Sequence, residues 1–194
     1  MEALLVSTGV VALAEIGDKT QLLAFILAAR FKRPWPIIAG ILVATVLNHA
    51  LAGAVGAWLT SLVSPQVLRW VLGLSFIAMA AWTLVPDKMD DDESESLAAR
   101  RLGVFGATFV AFFLAEMGDK TQIATVAMAA RYSDAILVVM GTTLGMMLAN
   151  VPAVLIGDKL AHKLPIRLVH GIAALIFAVL GVATLMGAGA SLGF

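Results

Sequence analysis

Long apolar stretches run through the chain, and each interruption is a short cluster of charge, proline or turn formers. A helix crosses the hydrocarbon layer of a bilayer, roughly 30 Å thick, in about 20 residues. On that scale the pattern predicts six spans, over residues 4–29, 36–60, 67–85, 103–130, 135–157 and 168–187. Arg30-Phe31-Lys32-Arg33-Pro34 closes the first span, Ser64-Pro65 separates the second from the third, and Arg131-Tyr132-Ser133-Asp134 separates the fourth from the fifth. Only Pro86 to Arg101 is polar at length, with Asp87, Lys88, Asp90, Asp91, Asp92, Glu93, Glu95, Arg100 and Arg101, a composition suited to a solvated linker. Met1-Glu2-Ala3-Leu4 has no basic n-region and no small-residue cleavage site nearby, so the first stretch reads as a retained helix.

The linker divides a repeat. A shift of 101 positions lays Ala14-Glu15-Ile16-Gly17-Asp18-Lys19-Thr20-Gln21 on Ala115-Glu116-Met117-Gly118-Asp119-Lys120-Thr121-Gln122, and Ala28-Ala29-Arg30 on Ala129-Ala130-Arg131. The same shift pairs Gly40 with Gly141, and Gly56 with Gly157. With a three-residue slip, Arg69-Trp70-Val71-Leu72-Gly73 falls on Arg167-Leu168-Val169-His170-Gly171. The expected fold is therefore all-α and polytopic: a three-helix repeat over 1–86, an acidic linker over 87–102 and a second three-helix repeat over 103–194. An odd number of helices per repeat inverts the second copy, as in many secondary transporters. Arg30, Lys32, Arg33, Lys88, Arg100, Arg101, Lys159, Lys163 and Arg167 fall in the first, third and fifth loops, against Arg69 and Arg131 on the other side. By the positive-inside rule the linker is cytoplasmic and both termini face out.

Charges stand where lipid should exclude them. Glu15, Asp18 and Lys19 lie near the middle of the first span, and Glu116, Asp119 and Lys120 lie equally deep in the fourth. Each costs roughly 2.5 to 3.5 kcal/mol at the bilayer centre, which argues for function over scaffolding. On a continuous helix Glu15, Asp18 and Gln21 form an oxygen-rich stripe, with Glu116, Asp119 and Gln122 as its twin. Lys19 then stands four residues from Glu15, and Lys120 from Glu116, as counterions on the same helix. Gly17 and Gly118 allow close approach or a local break that frees carbonyls. Four carboxylates and two ammonium groups leave two negative charges, matching one divalent cation or two protons. A carboxylate withdrawn from water prefers its proton, and a bound metal ion reverses that preference, which is the simplest chemistry of exchange.

Composition narrows the chemistry. The chain is 61% hydrophobic, has no net charge and contains no cysteine, so nucleic acid is not an expected partner and thiolate metal sites are excluded. Carboxylates with Thr20, Thr121, Gln21 and Gln122 beside them form a hard oxygen set suited to magnesium, calcium or manganese. Asn48 and His49 in the second span and Asn150 in the fifth, with His49 and Asn150 equivalent in the repeat, are further candidate ligands, and a nearby imidazole tilts selectivity toward a transition metal such as manganese. Met117, Met146 and Met147 read as packing residues, Trp35, Trp58, Trp70 and Trp82 as interfacial anchors, and His162 and His170 as interfacial. No H-E-x-x-H, G-x-S-x-G or phosphate-loop motif points to an enzyme.

The segments Glu15-Ile16-Gly17-Asp18-Lys19-Thr20 and Glu116-Met117-Gly118-Asp119-Lys120-Thr121 resemble the signature of a family of calcium and manganese cation/proton antiporters of Golgi, chloroplast and bacterial membranes. The resemblance covers nearly the whole chain and is strongest to the bacterial manganese exporters. It implies one E-x-G-D-[KR]-[ST] motif on the first helix of each half, a polar loop between halves, and cation binding by the motif acids. The expectation is thus a bacterial inner-membrane carrier that exports manganese in exchange for protons, with no resident cofactor. Calcium/proton exchange is the alternative, followed by a passive divalent-cation channel.

Overall fold

The computed structural model describes residues 1–85, 103–132, 134–156 and 166–187. The expected linker over 87–102, with its acidic run, and His162 lie outside the described residues. Eight helices, and no strand, occur among the described residues: α1 (Glu2–Glu15), α2 (Lys19–Phe31), α3 (Pro34–Leu62), α4 (Pro65–Thr83), α5 (Gly103–Glu116), α6 (Lys120–Arg131), α7 (Ala135–Ile156) and α8 (Ile166–Leu185). Four of them, α3, α4, α7 and α8, are long and apolar enough to cross a membrane. Their outer faces carry large exposed apolar side chains, including Leu42, Val46 and Leu47 on α3, Leu144 and Leu148 on α7, and Leu175 and Val179 on α8. Such a continuous apolar exterior belongs in lipid. Trp35, Trp58, Trp70 and Trp82 are all exposed, close to the ends of α3 and α4. That is where amphipathic rings anchor a helix at the headgroups.

The local chemistry of the chain sets the ends of the helices. Lys32 adopts a left-handed conformation (φ 53°) and stops α2, Pro34 opens α3 and Pro65 opens α4, where a missing N–H costs nothing. Leu137 N donates to Asp134 Oδ1 at 3.0 Å and caps the start of α7.

The helices expected to be continuous over 4–29 and 103–130 are each broken in two. Gly17 takes φ 86° and Gly118 takes φ 79°, a conformation that a right-handed helix cannot contain and that only glycine adopts at little cost. The chain leaves one half-helix at Glu15 or Glu116 and re-enters the next at Lys19 or Lys120.

Packing exchanges the halves. α1 lies along α7, α5 lies along α3, and α4 packs against α8. Small residues permit these approaches: Gly40 on α3 meets Thr108 and the Phe105 carbonyl on α5, while Gly141 on α7 meets Ser7 and the Leu4 carbonyl on α1. Each residue of the second contact is related to one of the first by 101 positions, with Gly40 matching Gly141, Thr108 matching Ser7 and Phe105 matching Leu4. Phe76 and Phe177, also 101 apart, stack on each other with centroids 6.4 Å apart. The same contact is thus made twice, with the partners exchanged between the halves.

These seams tolerate little added volume. A Cβ on Gly145 would stand 2.6 Å from the Thr8 carbonyl oxygen and 2.8 Å from the Ala12 nitrogen, both backbone atoms of α1. Gly145→Ala is expected to destabilise the protein by about 1–3 kcal/mol, read as a lower melting temperature in detergent. Gly9→Ala, whose Cβ meets nothing within 4 Å, serves as the control. Equal melting of the two variants would show that α1 and α7 are not closely seated.

Candidate metal site

The two breaks bring the motif acids together in the centre of the bundle. Glu15 and Glu116 end α1 and α5, and Asp18 and Asp119 occupy the N-cap positions of α2 and α6. Both glutamates are fully buried, and Asp18 and Asp119 nearly so. The turns are held by Asp18 N donating to Glu15 O at 3.0 Å and Asp119 N donating to Glu116 O at 3.1 Å. Carboxylates at helix N-termini sit at the positive ends of two dipoles, and the α1 and α5 C-termini bring the opposite polarity to the same place. Neither aspartate caps its own helix through its side chain.

The side chains are turned across the molecule instead. Lys120 Nζ lies 3.1 Å from Asp18 Oδ1, and Lys19 Nζ lies 3.6 Å from Asp119 Oδ1. The expected pairs of Lys19 with Glu15 and of Lys120 with Glu116 on a shared helix are therefore replaced by pairs between halves. With the break between Glu15 and Lys19 there is no four-residue helical spacing to bring them together. The single-helix stripe of Glu15, Asp18 and Gln21, and its twin in the second half, is replaced for the same reason. The two bridges also differ in solvent contact: Lys120 is 1% exposed and Lys19 is 22% exposed.

Around each break a glutamine acts as a brace. Gln21 Oε1 accepts from Gly17 N at 2.8 Å while its Nε2 donates to Ala149 O on α7 at 3.0 Å. Gln122 Oε1 accepts from Gly118 N at 2.7 Å and its Nε2 faces Asn48 Oδ1 on α3 at 3.4 Å. Both ends of each amide are thus engaged in holding a turn against a neighbouring helix. Gln21→Leu removes the acceptor for Gly17 N and is expected to cost about 1–3 kcal/mol. A melting temperature unchanged from wild type would remove the brace from the account.

The remaining candidates divide into holders and orphans. Asn150 Nδ2 donates to Glu15 Oε1 at 3.1 Å and also lies 3.0 Å from Met146 Sδ, and Thr121 Oγ1 donates to Glu116 Oε2 at 2.8 Å. Asn48 Nδ2 donates to Phe113 O at 3.1 Å. Glu15 Oε2, Asp18 Oδ2, Glu116 Oε1, Thr20 Oγ1, Asn150 Oδ1 and both ring nitrogens of His49 are buried with no hydrogen-bond partner among the described residues. Buried acceptors left in this way are costly unless something else satisfies them, and hard oxygen donors with one imidazole suit a divalent metal ion or protons. Among the described residues no three His, Asp or Glu side chains stand close enough together to hold a metal ion. The two lysines neutralise two of the four acids across the site.

One contact was not legible in the sequence. His170, expected at an interface, is buried, and its Nε2 lies 2.7 Å from the Ile16 carbonyl oxygen in the first break. The repeat aligns it with Leu72 and gave no reason to connect it with the motif.

The family model described as "Divalent cation/proton antiporter GDT1" matches twice, at residues 3–91 and 104–191. The chain is 52% identical over 185 residues to a Vibrio cholerae protein named "Putative manganese exporter", covering 95% of this chain and 90% of that one. It is 30% identical to "GDT1-like protein 3" of Oryza sativa, covering 91% of this chain and 71% of the relative, and 30% identical to a GDT1-like protein of Synechocystis, covering 86% and 88%. No solved structure matches the chain. With both halves matched and both motifs intact, the chain belongs to the GDT1 family of divalent cation/proton antiporters.

Proposed function

We propose that the protein exports manganese from the cytoplasm in exchange for protons, by alternating access at the site formed by Glu15, Asp18, Glu116 and Asp119. The observation that carries this reading is the reciprocal pairing of Lys120 with Asp18 and Lys19 with Asp119, which binds the two halves together through the acids a cation would need. A metal ion that coordinates these carboxylates displaces the lysines and so alters the contact between halves. Protons returning to the acids release the metal, and the lysines close the site again. Asn150 and Thr121 orient Glu15 and Glu116, His49 contributes a nitrogen donor that favours manganese over calcium, and Thr20 and Asn48 complete the surrounding polar shell.

The topology that fits is six crossings, with α1–α2 and α5–α6 each forming one broken span and the halves inverted about an axis in the membrane plane. Exchanged contacts such as Gly40 with α5 and Gly141 with α1 support it. In this arrangement the membrane is the bacterial inner membrane, the linker is cytoplasmic and both termini face out.

Uptake into inside-out proteoliposomes, with manganese and calcium compared while a proton gradient is imposed and then collapsed, tests the proposal. Gradient-dependent manganese uptake that Glu15→Gln abolishes is the expected result. Preference for calcium would transfer the mechanism to that ion. Flux indifferent to the gradient would replace exchange with a channel.

A further inference from the structure

Away from the acids, α3, α4, α6 and α8, with Ala135 of α7, line an open cavity of about 790 Å³, at the end of the bundle where α3 stops and α4 begins. Its wall is largely apolar, with Ala57, Leu68, Leu72 and Ala130, and none of the candidate metal ligands reaches it. Two guanidinium groups interrupt that wall, Arg69 from α4 and Arg131 from the last turn of α6.

Neither arginine is fully satisfied. Arg131 Nη1 donates to Thr184 Oγ1, and the guanidinium carbon lies 5.7 Å from the centroid of the Tyr132 ring. Arg69 Nη1 stands against Gly187, 3.2 Å from where a Cβ would be. The Nε of each is buried with no hydrogen-bond partner among the described residues, and no carboxylate is among the described residues that line the cavity. Leaving a charged donor buried without an acceptor is costly. The first turn of α4 adds further donor capacity: Ser64 makes no side-chain cap, and Pro65 and Gln66 line the same space. A helix start with uncapped amides carries partial positive charge and favours an anion.

We propose that this cavity binds a phosphate anion through Arg69 and Arg131, supplied as a phospholipid headgroup or as inorganic phosphate. Planar guanidinium forks match phosphate oxygens in charge and geometry. The volume lies within the range of small-molecule sites, roughly 300–1,000 Å³, and well above the needs of a lone ion. Leu68 and Leu72, on the same helix as Arg69, offer an apolar wall for the glycerol and upper acyl carbons of a lipid, so the headgroup is the favoured source. Occupation would bridge α4 of the first half to α6 of the second.

Delipidated full-length protein, incubated with phosphatidylglycerol or with diacylglycerol and read by native mass spectrometry, tests the site, alongside thermal melting with inorganic phosphate. Retention of phosphatidylglycerol over diacylglycerol, reduced about tenfold or more in Arg69→Gln/Arg131→Gln, identifies the headgroup. Stabilisation by inorganic phosphate that the same variant loses, without lipid retention, identifies the free ion. Ala57→Trp adds bulk at the exposed wall while leaving both arginines in the sequence, so it should abolish binding even where the arginine variant fails to fold. Equal retention of the two lipids together with no response to phosphate overturns the proposal, as does binding unaffected by any of these substitutions.

Discussion

Glu116→Gln is expected to lower manganese/proton exchange by at least about 100-fold while the protein remains folded. Loss of a mere outer-shell partner at a metal site costs about 10–100-fold, and Glu116 is proposed as a direct ligand and a proton carrier. The substitution preserves shape: a glutamine carbonyl still accepts the Thr121 hydroxyl that Glu116 Oε2 accepts at 2.8 Å. What disappears is one negative charge and an oxygen that can exchange a proton for a metal ion. Because the side chain is fully buried, neutralising it removes a desolvated charge, so the melting temperature should hold or rise. Flux and melting measured on one preparation separate the two effects. Thr121→Val leaves the charge and removes only the hydroxyl donor, and its loss should be the smaller, about tenfold. Full exchange by a well-folded Glu116→Gln would remove Glu116 from the mechanism.

Much of this site was written in the repeat. The paired acids, the glycines between them and the equivalence of His49 and Asn150 all follow from the 101-residue shift, because identical segments in two halves tend to meet near a common axis. Periodicity could not resolve whether each glycine lay within a continuous helix or broke it. A lone glycine in an apolar run is compatible with both, and only the positive φ of Gly17 and Gly118 decides. That one difference also changes the lysine partners: spacing along an unbroken helix pairs Lys19 with Glu15 and Lys120 with Glu116, whereas with both helices broken each lysine meets the aspartate of the other half. The role of Gln21 and Gln122 was hidden for the same reason: without the break there is no exposed Gly17 or Gly118 amide to brace. His170 was beyond reach, because the alignment of halves sets it against Leu72, whose side chain has no polar atom to make the equivalent of the contact between α8 and Ile16.

Lys120→Met should be the most destabilising change at the site, and its rescue the most informative. Lys120 and Asp18 are each 1% exposed and 3.1 Å apart, so removing the ammonium leaves a carboxylate buried against its desolvation cost. Truncating one partner of such a pair typically costs about 3–5 kcal/mol. Lys19→Met, made on a side chain 22% exposed and 3.6 Å from Asp119, should cost about 1 kcal/mol or less, because water screens and partly replaces that bridge. Adding Asp18→Asn to Lys120→Met removes the stranded charge and should recover most of the lost stability, which a simple cavity at Lys120 would not allow. The same charge argument reaches function. If the ammonium holds the place that a cation later takes, manganese should raise the melting temperature of Lys120→Met more than that of wild type, since the metal no longer competes with a tethered cation. Exchange should nevertheless fall, because nothing then helps expel the ion on the far side. A Lys120→Met protein that melts like wild type, gains nothing from manganese and still exchanges would mean that the bridge between halves is incidental to transport.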